Sequence, residues 1–141
     1  MTKTGKQVQT DIRRMLLGSA LAEAVSGSVY RNGYRPRDSR MEDIVVTFTA
    51  GLAEQIQTGV VTVNIYIPDI DPDANGTWVE DGRRTEALEA AAQAWADSLT
   101  TKAAGGYKFR LQQTIYTEAA EDIRQHFVVV KLAYEYFGEV Y

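Results

Sequence analysis

The chain has 141 residues, of which 45% are hydrophobic and 24% are charged, which is the composition of one folded domain with its own core. It has no cysteine, which excludes disulfides, thiolate zinc sites and a cysteine nucleophile, and its one histidine, His126, excludes a metal site built from several histidines. The formal net charge of −4 speaks against a general nucleic-acid-binding protein, and we expect no sequence-specific nucleic-acid partner.

The N-terminal part of the chain is predicted to be helical. Residues 1–6 are polar and are expected to form a flexible terminus. Apolar side chains then recur at helical spacing from Val8 to Val25, which predicts one amphipathic helix. Ser26 and Gly27 follow it, and Gly27 is a suitable left-handed cap.

The same region has a faint likeness to a secretion signal. Arg13 and Arg14 precede a short apolar run, but Glu23 interrupts that run, and an amphipathic helix explains the same residues. No stretch of 18 apolar residues follows anywhere in the sequence. We therefore expect a protein without a membrane partner that is cytoplasmic when it is synthesised.

Alternation of apolar and polar residues predicts the strands of the first half. Val29 and Tyr30 suggest a short strand, and the Asn32–Gly33 pair that follows is a tight-turn signal. Residues 44–49 and 61–67 alternate over longer stretches, and Pro68 ends the second of them. Residues 69–81 then form an acidic loop.

The second half is predicted to contain a helix followed by two strands. The helix is indicated by apolar residues at helical spacing: Leu88, Ala91, Ala92, Trp95 and Leu99. Gly105 and Gly106 end this segment, and residues 107–115 and 127–136 alternate like strands. The last strand has Phe127 and Val129 on its second face.

This order of elements, α-β-β-β-α-β-β, predicts a single α+β domain over residues 1–141. Each helix has one apolar stripe and most strands have one polar face, so both helices are expected on one face of a mostly antiparallel sheet of four to five strands. The other face of that sheet would be polar, with Thr47, Thr49, Thr62, Asn64, Tyr66, Lys108, Arg110 and Gln112.

The acidic loop contains one motif match. Asp71, Asp73, Asn75 and Gly76 fit the opening of a calcium loop, in which carboxylate and amide oxygens at alternating positions bind the ion. The twelfth position should be a bidentate glutamate, but it is Gly82, and a strand rather than a helix leads into the loop. A solvated turn explains the same residues through their backbone preferences, and we expect no bound metal or cofactor.

His126 is the remaining candidate for chemistry. It precedes an apolar strand, and the sequence supplies no serine, cysteine or carboxylate as an evident partner, although Glu121 and Asp122 are close along the chain. A general base requires such a constellation, so a half-exposed histidine at the start of a strand is the simpler interpretation. We do not expect an enzyme.

The charged residues are distributed unevenly. Residues 1–43 hold eight basic and five acidic residues, a balance of +3, and residues 44–106 hold three basic and nine acidic residues, a balance of −6. This division favours head-to-tail association over nucleic-acid binding, with one patch meeting a different patch on the next copy. The predicted interface residues are Arg31, Tyr34, Arg35, Arg37 and Arg40 on the basic loop and Asp69, Asp71, Asp73, Glu80 and Asp81 on the acidic loop. Reversing Arg35 and Arg37 to Glu is then expected to weaken self-association without unfolding the domain.

The layout as a whole resembles a known family. Ser26-Gly27 and the segment Ser28–Pro36 follow the N-terminal helix, then come Glu42–Val46, the strand Gly59–Ile67, an alanine-rich helix and the closing strand His126–Leu132. In element order and spacing, residues 8–136 resemble the tail-completion or tail-terminator proteins of long-tailed bacteriophages and prophages.

This resemblance implies a structural role. Such proteins are α+β domains that commonly assemble as hexameric rings, cap the tail tube and offer a surface to the head-side connector, so the implied partners are further copies of the chain, a tail-tube protein and a head-connector protein. The implied location is the cytoplasm of a bacterial host during assembly and then the virion tail. The family has no catalytic residues to transfer, and the long acidic loop departs from many of its members. A head–tail joining protein of related fold, or a small enzyme built on the acidic loop, are the alternatives.

Overall fold

The computed structural model of the protein describes residues 2–101 and 105–138. The helices are α1 (Gly5–Leu16), α2 (Ala20–Ala24) and α3 (Gly82–Thr101), and a short 3-10 turn spans Glu121–Ile123. The strands are β1 (Val29–Arg31), β2 (Asp43–Leu52), β3 (Gln57–Pro68), β4 (Tyr107–Leu111), β5 (Tyr116–Ala120) and β6 (Gln125–Tyr136). No helix of the described residues is long and apolar enough to cross a membrane.

The strands form one sheet in the order β1-β2-β3-β6-β4, and β5 also pairs with β6. The β1–β2 pairing is parallel and the other pairings are antiparallel. Because β5 pairs with residues 125–129 of β6 and β4 with residues 132–136, these two short strands lie one after the other along one edge of the sheet. The predicted α+β class and mostly antiparallel sheet are confirmed, with six strands among the described residues where four to five were expected.

All three helices pack against the same face of the sheet. Val8, Ile12 and Leu16 of α1 belong to one buried cluster with Leu88 and Trp95 of α3. The sheet contributes its inward residues to this cluster: Ile44, Val46, Val61, Val63, Ile65, Ile67, Val128, Val130 and Leu132. Helix α1 lies over β1 and β2, and α3 lies over β4, β5 and β6. Burial of this apolar surface is the main contribution to stability.

The single N-terminal helix predicted from Val8 to Val25 is wrong, because the chain breaks at Gly18. Gly18 adopts a left-handed φ of 79°, and the Ser19 side chain then caps α2 by accepting a hydrogen bond from the backbone N–H of Ala22. Gly27 is not the left-handed cap that was expected. It is glycine for a different reason, since a Cβ there would overlap the carboxylate of Asp43.

The chain is attached to the domain from Lys3 onward, in place of the flexible terminus expected for residues 1–6. The Thr4 side chain accepts a hydrogen bond from the N–H of Gln7, and the Gln7 side-chain oxygen accepts one from the Thr4 backbone N–H, a reciprocal cap that starts α1. The Lys3 N–H donates to Gln57 Oε1 at 2.8 Å. Met1 lies outside the described residues.

The single strand predicted over residues 107–115 is also wrong. Strand β4 ends at Leu111, a turn follows, and β5 begins at Tyr116. Ile115 is buried as the alternation implied, but it lies in the turn between the two strands. The segment forms two strands because β6 is 12 residues long and pairs with two short strands in succession.

A buried aromatic cluster closes the core between α1 and β4. The Tyr107 ring is almost fully buried and lies 4.8 Å from the ring of Tyr136 and 5.8 Å from that of Tyr134, centroid to centroid. Its hydroxyl donates to Asp11 Oδ2 at 2.7 Å. Burial raises the pKa of the Tyr107 phenol, and the hydrogen bond to Asp11 raises it further.

Candidate interaction surfaces

Arg35, predicted as an interface residue, instead holds the end of the sheet together. Its Nε donates to Asp43 Oδ2 at 2.8 Å, its Nη2 donates to Gln125 Oε1 at 2.9 Å, and its guanidinium lies 4.4 Å from the ring centroid of Tyr66. The Asp43 side chain is only 1% exposed and also accepts a hydrogen bond from the Ser28 N–H. A buried carboxylate needs such partners, so the expectation that Arg35 can be reversed without unfolding the domain does not agree with this geometry.

The other residues of the basic loop differ in whether their side chains already bind other parts of the chain. Arg40 donates to the carbonyl oxygen of Ile123 at 2.6 Å. Arg31 donates to Thr10 Oγ1 at 3.4 Å, and its guanidinium lies 4.7 Å from the centroid of the exposed Tyr34 ring. Arg37 is exposed and makes no hydrogen bond or ion pair with any other described residue. Arg37, Arg31 and Tyr34 therefore remain available to a partner, whereas Arg35 does not.

In the segment that matches the opening of a calcium loop, the Asp71 carboxylate closes a turn. Both oxygens of Asp71 accept backbone N–H groups, from Asn75 at 3.1 Å and from Gly76 at 2.8 Å. The Asn75 side-chain oxygen accepts the N–H of Thr77 at 3.0 Å. Asp73 is exposed, and within residues 2–101 and 105–138 no group of three or more acidic, histidine or cysteine side chains is placed to hold a metal. The turn chemistry accounts for these residue types.

The remaining acidic residues of the loop bind neighbouring elements. Asp69 Oδ1 lies 2.6 Å from His126 Nδ1, and Glu80 Oε1 lies 3.6 Å from His126 Nε2. Asp81 caps α3 by accepting the Arg84 N–H at 3.3 Å. The sequence did not reveal Asp69 as the partner of His126, because the two residues are 57 positions apart.

The two charged loops are neighbours in one chain. The Asp69 N–H donates to the Arg124 carbonyl oxygen at 3.0 Å, next to the Ile123 carbonyl that Arg40 binds. On the other side, Arg84 Nε donates to Glu42 Oε2 at 2.7 Å, and this bond to Glu42 is the main reason that the pKa of Arg84 is raised. Both loops therefore lie at the same end of the sheet, which does not suit them to meet each other across two copies.

Further exposed charge lies at the two edges of the sheet. One continuous row of paired residues runs from Val29 of β1 through Ile44, Ile65 and Val128 to Thr117 of β5. Strands β1 and β5 thus lie at opposite ends of the same rows. No further strand of the described residues pairs with the outer side of either one.

The edge at β1 is basic. Lys6, Arg14 and Arg31 line one shallow depression beside α1, and we call these three residues the basic edge. Lys6 and Arg14 are exposed, and the Lys6 ammonium lies 5.5 Å from the ring centroid of Tyr34. Tyr and Arg on an exposed edge are residue types that interfaces favour.

The edge at β5 is acidic. Glu118 on β5 and Glu121 and Asp122 in the turn after it are exposed, and we call these three residues the acidic edge. Glu118 accepts a hydrogen bond from the Tyr116 hydroxyl at 2.7 Å, which raises the pKa of that phenol. The carboxylates of Glu121 and Asp122 make no hydrogen bond or ion pair with any other side chain in the described part of the chain.

The face of the sheet without helices was predicted to be polar, but it is mixed. Its central row contains Tyr30, Val45, Asn64, Val129 and Tyr116, and Val45 and Val129 are buried despite the absence of a covering helix. The side-chain oxygen of Asn64 is buried and has no hydrogen-bond partner among the described residues. We call this surface the open face.

Comparison with known proteins shows the fold alone. No protein-family model and no curated protein matches the chain. One solved structure, of a protein whose name describes no function, is 17% identical, with a TM-score of 0.50 over 96% of this chain and 94% of that one. At this identity the likeness supports the α+β architecture and says nothing about activity.

Proposed function

We propose that this chain is a structural protein of a bacteriophage or prophage tail, a tail-completion or terminator protein that forms a ring, caps the tail tube and joins it to the head connector. It acts by self-association and performs no catalysis. The proposal begins from the resemblance of residues 8–136 to that family and from one feature of the structure, the opposite charge of the two free sheet edges.

The position of these edges supports head-to-tail contact. The basic edge lies beside β1 and the acidic edge lies on and just after β5, at opposite edges of the sheet, so a copy placed beside another, in the same orientation, brings unlike charges together. Such an interface is heterologous, and it gives a closed ring when the rotation between neighbours closes. The resemblance gives six as the number of copies in that ring.

The side chains at these edges suit an interface that forms only during assembly. Lys6, Arg14, Glu121 and Asp122 are exposed, so each pair across the interface contributes little by itself and mainly selects the partner and its orientation. A ring held in this way responds to ionic strength, since exposed charges are screened within about 10 Å at 0.1 M salt.

The enzyme alternative has less support. The described neighbours of the His126 ring nitrogens are the carboxylates of Asp69 and Glu80, and neither a serine nor a threonine hydroxyl is bonded to the ring. A histidine between two carboxylates stabilises a loop but has no nucleophile to activate. This arrangement favours a structural role for His126.

Native mass spectrometry and negative-stain imaging test the proposal. At micromolar concentration and low ionic strength we expect rings, or rings that form when a tail-tube protein is added. A strictly monomeric protein in both conditions would contradict the proposal. Binding to a head-connector protein but not to a tail-tube protein would favour the alternative, a head–tail joining protein.

A further inference from the structure

A groove crosses the open face at the end of the sheet where the β2–β3 hairpin projects. Its volume is about 500 Å³, which is within the range of ligand-binding clefts. The apolar side chains that line it from the open face are Ala50, Leu52, Val60 and Ala133. Leu52 is 61% exposed, and Ile56 at the tip of the same hairpin is 45% exposed, so apolar surface is left uncovered here.

Basic side chains lie along one side of this groove. Lys108 and Arg110 line it from alternate positions of β4, so both project from the open face. Lys131 is on the same face, beside Gln112, whose N–H donates to the Lys131 carbonyl oxygen at 2.9 Å. None of these three cations forms an ion pair within residues 2–101 and 105–138, and Glu135 is the one carboxylate among the groove-lining residues.

We infer that this groove binds a segment of a partner protein in which bulky apolar side chains are flanked by acidic residues. The apolar side chains would enter between Leu52, Val60 and Ala133, and the carboxylates would reach Lys108 and Arg110. An apolar anchor with charge-complementary groups at its rim is the usual construction of a protein-binding hot spot.

A protein segment fits the groove better than a nucleic acid. Recognition of single-stranded nucleic acid needs a continuous basic track with exposed aromatic rings, and here Phe109 is only 4% exposed and Glu135 interrupts the charge. The inference goes beyond ring assembly, because the ring uses the edges of the sheet and the groove lies on its open face. Either proposal can fail while the other holds.

Fluorescence anisotropy on the full chain tests this inference. The probe is a labelled hexapeptide, Asp-Glu-Leu-Phe-Glu-Asp, compared with the same peptide carrying Lys at its four acidic positions and with single-stranded oligothymidylate. We expect the acidic peptide alone to bind, with a Kd below about 1 mM. No binding of the acidic peptide, equal binding of the basic peptide, or equal binding of the oligothymidylate would overturn the inference.

Substitutions in the groove test whether the acidic peptide binds there. K108E/R110E is expected to weaken binding at least about tenfold by reversing the rim charge, and Ala133→Leu at least about tenfold by filling the groove while the charge stays unchanged. Arg83→Glu on α3, remote from the groove, is a single charge-reversal control and should leave peptide binding unchanged. NMR gives a test that needs no variant. When the peptide is added, the amide chemical shifts of Lys108 to Gln112 should change. Binding that leaves these signals unmoved, or that survives both groove variants, would overturn the inference.

Discussion

Two charged regions of this molecule differ in what their charges do. At the loop end of the sheet, the side chains of Arg35, Arg40, Asp69 and Asp71 are bonded within the chain. At the two edges, Lys6, Arg14, Glu121 and Asp122 are exposed. The sequence made the loops look like the binding surfaces, but several of their charged side chains are already bonded within the chain, whereas these four edge side chains form no ion pair with another described residue. Charged residues that lie close together in the sequence therefore need not form a surface of unpaired charges in the folded protein.

The largest expected effect is at Arg35. Arg35→Glu places a carboxylate against the buried Asp43 and removes the donor to Gln125, so we expect a loss of about 3–5 kcal/mol of unfolding free energy, measured by urea denaturation. Arg37→Glu, two residues away and exposed, is the matched control and should stay within about 0.5 kcal/mol of the wild type. Equal stability of the two variants would mean that Arg35 does not hold the loop end.

A substitution at Gly27 tests how closely the backbone packs against Asp43 in the same region. A methyl group there would overlap the Asp43 carboxylate, so Gly27→Ala should lower the free energy of unfolding by about 1–3 kcal/mol. Gly82→Ala is the control, because no atom lies within 4 Å of the added carbon, and it should leave stability unchanged or slightly increased. If Gly27→Ala folds as stably as Gly82→Ala, the packing of Gly27 on Asp43 is wrong.

Alkaline pH tests the aromatic core. The folded state keeps the Tyr107 phenol neutral, whereas the unfolded chain releases that proton near pH 10. The difference between the folded-state and unfolded-state pKa of Tyr107 therefore stabilises the folded protein fully below pH 10, and this stabilisation is lost as the pH rises above 10. Urea denaturation at pH 8 and at pH 11 should show a smaller loss of stability for Tyr107→Phe than for the wild type. An identical loss would exclude Tyr107 as a source of the alkaline decline.

The smallest effect is expected in the acidic loop. Asp71→Ala removes the acceptor for two backbone N–H groups on an exposed turn and should cost at most about 1 kcal/mol, while the exposed Asp73→Ala should cost nothing measurable. Calorimetry with calcium at millimolar concentration should show no binding heat for the wild type. A calcium heat that Asp71→Ala abolishes would restore the metal-loop hypothesis.

Regular periodicity made part of the fold predictable. The alternation over β3 and the helical spacing over α3 each had one clear interpretation, and both elements lie where the pattern placed them. The break at Gly18 was missed because Leu17, Leu21 and Ala24 keep helical spacing across it. Strand β5 was missed because its residues, Tyr116 to Ala120, carry little apolar alternation and lie at an edge that needs none.

The site was harder to predict than the fold. The partners of Arg35 illustrate the reason: Gln125 is 90 positions away along the chain, and nothing local distinguishes a bonded arginine from a free one such as Arg37. Where the edge charges lie depends on the fold: α1 packs on β1 and β2 and so places Lys6 and Arg14 at one edge, and the turn after β5 places Glu121 and Asp122 at the other.

Charge exchange between the two edges tests the central claim most directly. K6E/R14E makes both edges acidic and E121K/D122K makes both basic, so at low salt each variant alone should be monomeric by native mass spectrometry. Mixed in equal amounts, they should form rings in which the two variants alternate, because every interface again joins unlike charges. Rings of either variant alone that match the wild type, or a mixture that stays monomeric while the wild type forms rings, would contradict assembly through these edges.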